Sequence, residues 1–396
     1  MANEIIAGVE LGTSETKLAM AEVLPAGGVK ILSHCKIPSN GMRKSMVVNM
    51  QQVTYSLRSV VKSTEKDYML QPREVGLVVS GPHIKCYPLE ETLAVSTSKV
   101  SEEDIIAIEE KVSSVPNTQE YEVLDVIVSK YGLDDLNELY DPPKDMHGKL
   151  LRCTALVIQA EKTHIKNIVS VAEEANLSVA SIFFSGYSAS VAVLTQQQKQ
   201  DGTLVINLGG GTTTYSFWYK GNMLYTNVIG VGGDHVTDDI SYAFSISRTQ
   251  AESIKQEYAS AIVLNTAERI QLKGIIGNKN ATISLRALHT VVNARMHELF
   301  KIICVDLDEK GFLHNLNGGI ILTGGGAYLK NIINLAETVC GRSVQLGRLI
   351  PEIAGLEKVE QPAKYASIAG LLYQMSLDFQ PKKSFLSRVF GGVFKK

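Results

Sequence analysis

The most constraining feature of the sequence is an apolar strand that runs directly into three consecutive glycines near the middle of the chain. The stretch reads TLVINLGGG from Thr203 to Gly211, and the apolar-aromatic run that ends at Tyr219 is typical of a returning strand. Glycines let the backbone turn sharply, and a turn without side chains brings its N–H groups close to a phosphate. The hydroxyl of Thr212 or Thr213 can add a donor. One such hairpin is weak support for a phosphate site, because glycine-rich β-turns are common.

A second stretch with the same plan lies near the start of the chain. Ile5–Val9 is apolar, and the sequence ELGTSETKLAMAEV follows from Glu10 to Val23. A third glycine-rich turn follows another apolar strand within Gly318–Leu329, which reads GGIILTGGGAYL. Two phosphate hairpins and a later glycine turn predict a duplicated α/β chain that closes on a nucleotide from both sides. The alternative is three unrelated hairpins.

Composition argues against several classes of protein. The 396 residues carry a formal net charge of −2, and the body of the chain has no cluster of Lys and Arg with interleaved aromatics, so no nucleic-acid partner is expected. The five cysteines are scattered and never spaced as C-x-x-C, which argues against a disulfide framework or a zinc site and fits a reducing cytoplasm. The first residues do not resemble a signal peptide, and no apolar run reaches the ~20 residues that span a bilayer.

Local patterns predict the elements around the glycine turns. They are a helix at Ser101–Ser113 with Ser101 as N-cap, a polar loop at Asp134–Gly148, a glycine turn at Gly230–Asp234 before a helix to Phe244, a helix from about Arg248 to Glu257 after a Ser247 cap, and a largely helical Ile283–Val305. The helix after Ser247 carries Glu252 and Lys255 three residues apart, and therefore on one face.

Together these motifs resemble those of the actin-like ATPase superfamily, which also includes heat-shock chaperones and sugar kinases. The resembling segments are Val9–Lys17 and Val205–Thr214 for the two phosphate motifs, Phe184–Leu194 and Ala363–Leu372 for the two connecting helices, and Ile320–Ala327 for the adenosine motif. Within this superfamily the sequence resembles the FtsA family of bacterial cell-division proteins. A subdomain inserted at about 86–165 and the phrase VTDDISYAFSISRTQAESIK narrow the resemblance to that family.

The resemblance implies an α/β, actin-like fold of ribonuclease H-like duplicated domains, with a nucleotide cleft between two lobes and an inserted small α/β subdomain. The implied division is 1–85, 166–200 and 363–380 for the core of the first lobe, 86–165 for the inserted FtsA-type subdomain, 201–245 and 316–362 for the core of the second lobe, 246–315 for its upper subdomain, and 381–396 for a linker and a C-terminal amphipathic helix. The implied cofactors are ATP and Mg²⁺.

The resemblance also assigns nucleotide contacts to residues in the glycine turns and on one helix. The β- and γ-phosphates would meet Gly12, Thr13, Ser14 and Lys17 on one side and Gly209, Gly210, Gly211 and Thr212 on the other, with Gly232 and Gly233 as further nucleotide contacts. Glu252 and Lys255 would reach the ribose and adenine, and Gly324, Gly325 and Gly326 would approach the adenosine closely. Magnesium would sit near Glu10 and Asn207 through water. The plainer alternative is that the glycines serve only turns and that the charged residues are solvated.

Several positions depart from the superfamily pattern. Glu10 and Asn207 stand where the superfamily usually has aspartate, Thr214 stands where chaperone-like members carry a second aspartate, and Ser185 stands where many members have a glutamate that helps orient water. Phosphoryl transfer depends on positioning and on charge stabilisation by metal and donors. The expectation is therefore that ATP binds but is hydrolysed slowly or hardly at all, and no catalytic residue is assigned.

The last residues predict an interfacial helix. The apolar residues Phe385, Leu386, Val389, Phe390, Val393 and Phe394 fall within about half of a helix circumference, and the cations are Lys382, Lys383, Arg388, Lys395 and Lys396. A large apolar face flanked by cations, too short to span a bilayer, is typical of a segment that lies on anionic lipid. The alternative is a tail that folds back on the protein or docks on a partner.

The resemblance implies an ATP-binding cell-division protein that polymerises on the inner face of the cytoplasmic membrane. Its implied partners are the tubulin-like division protein FtsZ, other copies of itself, anionic lipid and further division proteins, and its implied location is the division site. One alternative is an actin-like component of a pilus machine, which would bind a short peptide from a membrane partner. A sugar or small-molecule kinase is a third reading, but it needs an aspartate base beside a substrate hydroxyl, and no persuasive candidate is present.

Overall fold

A computed structural model describes residues 4–272 and 281–379 of the chain. Its strands are β1 (Ile5–Leu11), β2 (Glu15–Val23), β3 (Val29–Pro38), β4 (Met42–Arg43), β5 (Met46–Val47), β6 (Glu74–Val79), β7 (Ile84–Ala94), β8 (Tyr121–Leu133), β9 (Leu136–Leu139), β10 (Leu150–Glu161), β11 (Ser178–Phe184), β12 (Thr203–Leu208), β13 (Thr213–Tyr219), β14 (Asn222–Ile229), β15 (Arg269–Leu272), β16 (Ala281–Ser284), β17 (Gly319–Thr323), β18 (Val344–Leu346) and β19 (Ile353–Ala354).

The α-helices are α1 (Met50–Tyr68), α2 (Glu102–Ser113), α3 (Lys162–Glu174), α4 (Ser185–Val193), α5 (Gln196–Asp201), α6 (Gly233–Phe244), α7 (Arg248–Tyr258), α8 (Leu285–Glu309), α9 (Ile332–Cys340) and α10 (Ala366–Leu377). Among the residues described, no helix combines the length and the apolar character needed to cross a membrane. The tail residues 382–396, with the interfacial helix predicted for them, lie outside the described residues.

Two sheets repeat one arrangement. The first has the strand order β11-β6-β1-β2-β3-β19, and the second has β14-β13-β12-β17-β18. In each sheet an antiparallel hairpin, β1–β2 or β12–β13, pairs through its first strand in parallel with a later strand, β6 or β17. The central strands are almost wholly buried, as expected where both faces of a sheet are covered. The duplicated α/β architecture predicted from the glycine hairpins is confirmed.

A third sheet is inserted between two strands of the first sheet, β6 and β11. Its order is β7-β10-β8-β9, and helix α2 covers its apolar face around Ile108 and Leu151, which form a separate core. This inserted sheet also touches the second sheet. The side-chain amide of Asn222 donates to the carbonyl of Tyr140 at 3.1 Å, and the rings of Tyr140 and Tyr219 meet edge to face.

Two buried helices cross beside the first sheet, and one of them also reaches the second sheet. Helix α4 contacts strands of both sheets, whereas α10 packs against the first sheet and against α4. At their crossing, a Cβ on Gly370 would lie only 1.8 Å from the carbonyl oxygen of Ser188, so glycine alone permits this approach. The hydroxyl of Ser188 donates to the side-chain carbonyl of Gln374 at 2.6 Å, which fixes the register of the pair.

Most predicted elements agree with the structure, and the exceptions have local causes. Ser101 and Ser247 cap α2 and α7 as expected. The predicted loop at Asp134–Gly148 is wrong in part, because Leu136–Leu139 forms the edge strand β9 against β8. The helix predicted at Ile283–Val305 is observed as α8, which begins two residues later than predicted because Ile283 and Ser284 belong to β16.

Candidate functional site

A cleft of about 1550 Å³ lies between the two glycine hairpins and contains every predicted nucleotide or metal residue. These residues are Glu10, Gly12, Thr13, Ser14, Lys17, Asn207, Gly209, Gly210, Gly211, Thr212, Gly232, Gly233, Glu252, Lys255, Gly324, Gly325 and Gly326. The expectation that residues 10–17 and 207–214 share one cleft is met. The roles assigned to the individual residues remain predictions.

The two hairpin turns meet tip to tip across the cleft. A Cβ on Gly210 would lie 1.9 Å from the Ser14 hydroxyl, and one on Gly211 would lie 2.4 Å from the Thr13 hydroxyl. Within the described residues, the backbone N–H groups of Thr13, Ser14, Gly210 and Gly211 have no hydrogen-bond acceptor. Backbone donors are nearly always satisfied in folded proteins. Unpaired donors on two facing turns therefore fit an anionic group with several acceptor oxygens, such as a phosphate chain.

The second turn is braced from behind by the N-terminus of α6. The N–H of Gly233 donates to the Gly209 carbonyl at 3.0 Å, and the N–H of Asp234 donates to the Gly210 carbonyl at 2.8 Å. A Cβ on Gly232 would lie 2.5 Å from both of these carbonyl oxygens, so a side chain there would force the helix away from the turn. These contacts engage the carbonyls of Gly209 and Gly210, while the N–H groups of Gly210 and Gly211 keep no acceptor among the described residues.

The third glycine turn packs against the end of β12. Gly324 has φ +82, and a Cβ there would meet the side-chain oxygen of Asn207 at 2.4 Å. Gly326 also lies close to this strand, because a Cβ there would be 2.8 Å from the Cβ of Leu208. Gly325 is different, because its nearest neighbour would be the Lys364 side chain at 3.8 Å. Of the three glycines, Gly325 is the one with space in front of it.

Glu252 and Lys255 form a compact polar cluster with the start of α6. The Lys255 ammonium donates to Glu252 at 2.7 Å, to the Thr237 hydroxyl at 2.8 Å and to the Gly233 carbonyl at 3.0 Å. Burial alone would raise the pKa of the Glu252 carboxyl, but the charge of Lys255 and hydrogen bonds from Thr237 and Gln256 lower it below its ordinary value. The cluster therefore ties α7 to the α6 turn with all three Lys255 donors in use.

The base of the cleft carries hydroxyl and amide groups. The Ser80 and Thr214 hydroxyls lie 3.0 Å apart, and the Asn207 amide donates to the Ser367 hydroxyl at 2.9 Å. The Ser185 hydroxyl is buried and has no partner among the described residues. Glu10 is the acidic residue of this group, and its carboxylate pairs with Lys17 at 3.0 Å. Among the described residues, this group offers water several hydroxyl partners and the Glu10 carboxylate, which is already paired with Lys17.

A small hairpin that was not predicted from the sequence enters the cleft from the first lobe. Strands β4 and β5 are joined by Lys44 and Ser45, which both have left-handed backbone conformations, with φ of +50 and +59. The Ser45 N–H donates to the Thr13 hydroxyl at 2.8 Å, and the Ser45 hydroxyl lies 3.1 Å from that of Thr212. Neither residue is the glycine or asparagine that usually marks such a turn, so local sequence gave no signal.

Family models match two parts of the chain. Residues 204–370 match the model described as cell division protein FtsA, and residues 81–159 match the SHS2 domain inserted in FTSA. The chain is 30% identical to cell division protein FtsA of Escherichia coli K12 over 379 residues, which cover 93% of this chain and 90% of the relative. It is 28% identical to that of Bacillus subtilis 168 over 348 residues, which cover 87% of this chain and 78% of the relative.

Solved structures show the same fold at low sequence identity. A chain of the PilM-PilN type IV pilus biogenesis complex superposes with a TM-score of 0.68 at 15% identity and covers 95% of this chain and 99% of its own length. MreB5 of Spiroplasma citri bound to ADP superposes with a TM-score of 0.56 at 13% identity and covers 96% of this chain and all of its own length. These matches show that the architecture is actin-like.

Proposed function

Because this chain belongs to the FtsA family of cell-division proteins, we propose that it binds ATP and tethers the tubulin-like division protein FtsZ to the membrane. In this proposal the protein self-associates into filaments on the inner face of the cytoplasmic membrane at the division site. Other division proteins are further partners. The proposed divisions of the chain are those implied by the family, including an upper subdomain at about 246–315 as the FtsZ-binding part.

The pair of glycine turns carries the nucleotide part of the proposal. Four backbone N–H groups on the two facing turns have no acceptor among the described residues, and the N-terminus of α6 braces one of the turns. A helix N-terminus and exposed backbone donors both favour phosphate. Thr13, Ser14, Gly210 and Gly211 would hold the phosphate chain of ATP, and bound Mg²⁺ would supply charge neutralisation near Glu10. MreB5, which shares the fold, is described with bound ADP.

Slow hydrolysis is part of the proposal. Efficient phosphoryl transfer needs a group that positions the attacking water. Ser185 and Thr214 supply only hydroxyls at the base of the cleft, and the Thr214 hydroxyl already lies 3.0 Å from that of Ser80. ATP would then act mainly as a ligand that brings the lobes together.

The membrane part of the proposal rests on the sequence of the tail. Three phenylalanines and five cations within residues 382–396 match a segment that binds anionic lipid. The proposal is tested by sedimentation with vesicles that contain anionic lipid, in the presence of Mg²⁺-ATP and FtsZ. We expect the full chain to sediment and to bring FtsZ with it, and a chain truncated before Ser384 to leave both proteins in the supernatant.

The same experiment, together with an assay of ATP turnover, separates the rival readings. A pilus-type protein would neither bind the vesicles through its tail nor recruit FtsZ. A small-molecule kinase would turn over ATP only with an added hydroxyl substrate. Vesicle binding that is unchanged by the truncation would contradict the proposed role of the tail.

A further inference from the structure

Lys44 is a cation that lines the cleft and has no counter-ion within the described part of the chain. The side chain is half-buried and lines the cleft, yet no carboxylate oxygen lies within 4 Å of its ammonium among the residues that the structure describes. Its Nζ lies 3.7 Å from the position that a Cβ on Gly230 would occupy, so the side chain reaches from the first lobe to the second. Burial lowers the pKa of nearby His235, and the charges of Lys44 and Arg295 lower it further. Lys44 thus adds positive potential at this end of the cleft.

The backbone at Lys44 is held in a costly conformation. Two consecutive residues with left-handed φ, neither of them glycine, persist only where the surroundings hold them, and such strain clusters at functional sites. Here the surroundings are the two glycine turns. Ser45 bonds to Thr13 on one turn and contacts Thr212 on the other, and a Cβ on Gly211 would lie 2.9 Å from the Lys44 Cα. The hairpin tip is therefore seated at the junction of both turns.

Three other basic residues that line the cleft already have partners. Lys17 is bound to Glu10 and to the Lys364 carbonyl, at 3.0 and 2.7 Å. Lys255 gives all three donors to the cluster around Glu252. Arg248 pairs with Asp234 and Asp238 at the mouth of the cleft. The Lys364 side chain also lacks a carboxylate within 4 Å among the described residues, but it extends toward Gly325, at the end expected to take the adenosine.

We propose that the Lys44 ammonium binds the terminal phosphate of the nucleotide and lets the cleft distinguish a triphosphate from a diphosphate. This inference rests on the proposed function, in which the cleft binds ATP. Lys44 adjoins the tips of both phosphate turns, whereas Glu252 and Gly325 lie where the adenosine is expected. A charge-assisted hydrogen bond to the outermost phosphate is available to ATP and not to ADP. Because the Lys44–Ser45 tip contacts the glycine turns of both lobes, it would then transmit the difference between bound ATP and bound ADP to each of them.

The inference is tested by equilibrium binding of fluorescent ATP and ADP analogues in the presence of Mg²⁺. We expect Lys44→Met to weaken binding of the ATP analogue by about tenfold or more and that of the ADP analogue by less than about threefold. Lys44→Arg keeps the charge and should stay close to the wild type for both. Lys62→Met removes one exposed cation of α1 that does not line the cleft, and it should change neither affinity.

Chemical modification of the unmutated protein gives a second readout. Acetylation of Lys44 by an amine-reactive reagent, followed by mass spectrometry, should slow markedly with ATP and much less with ADP, while Lys62 should react at one rate throughout. Equal losses of ATP and ADP affinity in Lys44→Met, or Lys44 acetylation that ATP does not slow, would overturn the inference alone. A wild-type protein that binds neither nucleotide would overturn the proposed function and this inference with it.

Discussion

The Lys17 ammonium lies 3.0 Å from the Glu10 carboxylate, across neighbouring strands of the first hairpin. Both side chains are largely shielded, with 11% and 20% of their surface exposed, and Lys17 also donates to the Lys364 carbonyl. Lys17 therefore neutralises the Glu10 carboxylate at the base of the cleft. Direct contact of Lys17 with the phosphates stays a prediction.

Removal of Lys17 should destabilise the protein as well as the site. Lys17→Met leaves Glu10 shielded and unpaired, and we expect the free energy of unfolding to fall by about 2–4 kcal/mol. Lys36→Met is the matched control, because Lys36 pairs with Glu15 on the same sheet but is 40% exposed, and its loss should stay below about 1 kcal/mol. Denaturant titration without nucleotide measures both. Equal losses in the two variants would show that the Glu10 pair is an ordinary surface pair.

Substitution of different glycines in the cleft by alanine should affect the stability of the protein to different extents, because some glycines pack against backbone and others face open space. A Cβ on Gly232 would overlap two carbonyl oxygens of the second turn, so Gly232→Ala should cost about 1–3 kcal/mol of stability. Gly325→Ala meets only the flexible Lys364 side chain and should stay within about 0.5 kcal/mol of the wild type. Thermal and denaturant unfolding test this difference. If Gly325→Ala strongly destabilised the protein, the conclusion that Gly325 faces open space would be wrong.

ATP turnover should be slow. With Mg²⁺-ATP, the wild-type protein is expected to turn over well below about 1 per second, because hydroxyl and amide groups replace the usual carboxylates at Asn207, Thr214 and Ser185. Asn207→Asp restores one carboxylate in the cleft and should make the affinity for ATP more dependent on Mg²⁺. Phosphate release measures the turnover rate, and binding titrations with and without Mg²⁺ measure how far the affinity for ATP depends on the metal. A wild-type rate typical of ordinary ATPases would contradict the prediction.

His83 should make the fold sensitive to mild acid. The ring is buried where the chain enters the inserted sheet, neither nitrogen has a partner among the described residues, and the His164 ring lies 4.8 Å away. Burial, with the charge of His164, lowers the pKa of His83 to about 4. Because the unfolded chain takes up a proton near pH 6.5 and the folded chain does not, stability falls as the pH drops from about 6.5 to about 4, by about 3 kcal/mol in total.

The variant His83→Leu should remove that loss, because it cannot bind a proton in either state. His297→Gln, at an exposed position on α8, is the control and should keep the wild-type pH dependence. Urea unfolding at a series of pH values between 4 and 7 compares the three proteins. If the free energy of unfolding fell equally with decreasing pH in His83→Leu and in the wild type, groups other than His83 would cause the loss of stability.

The parts of the fold that could be predicted are those with a local physical cause. The glycine hairpins, the Ser101 cap and the buried face of α8 at Leu288, Val292 and Met296 all follow from short-range patterns. Strand β7 was not predicted, because it is an edge strand that contains Pro88 and keeps much of its surface exposed. The contacts of Ser45 with Thr13 and Thr212 join segments up to 167 residues apart, and no local pattern contains them.

The crossing of α4 and α10 limits how these two helices can move. The carbonyl of Ser188 fills the space where any side chain larger than hydrogen would stand on Gly370, and Ser188 and Gln374 are hydrogen-bonded beside it. Sliding of one helix along the other would break this hydrogen bond and bring larger residues against the Ser188 carbonyl. We therefore expect α4 and α10 to move together as one unit.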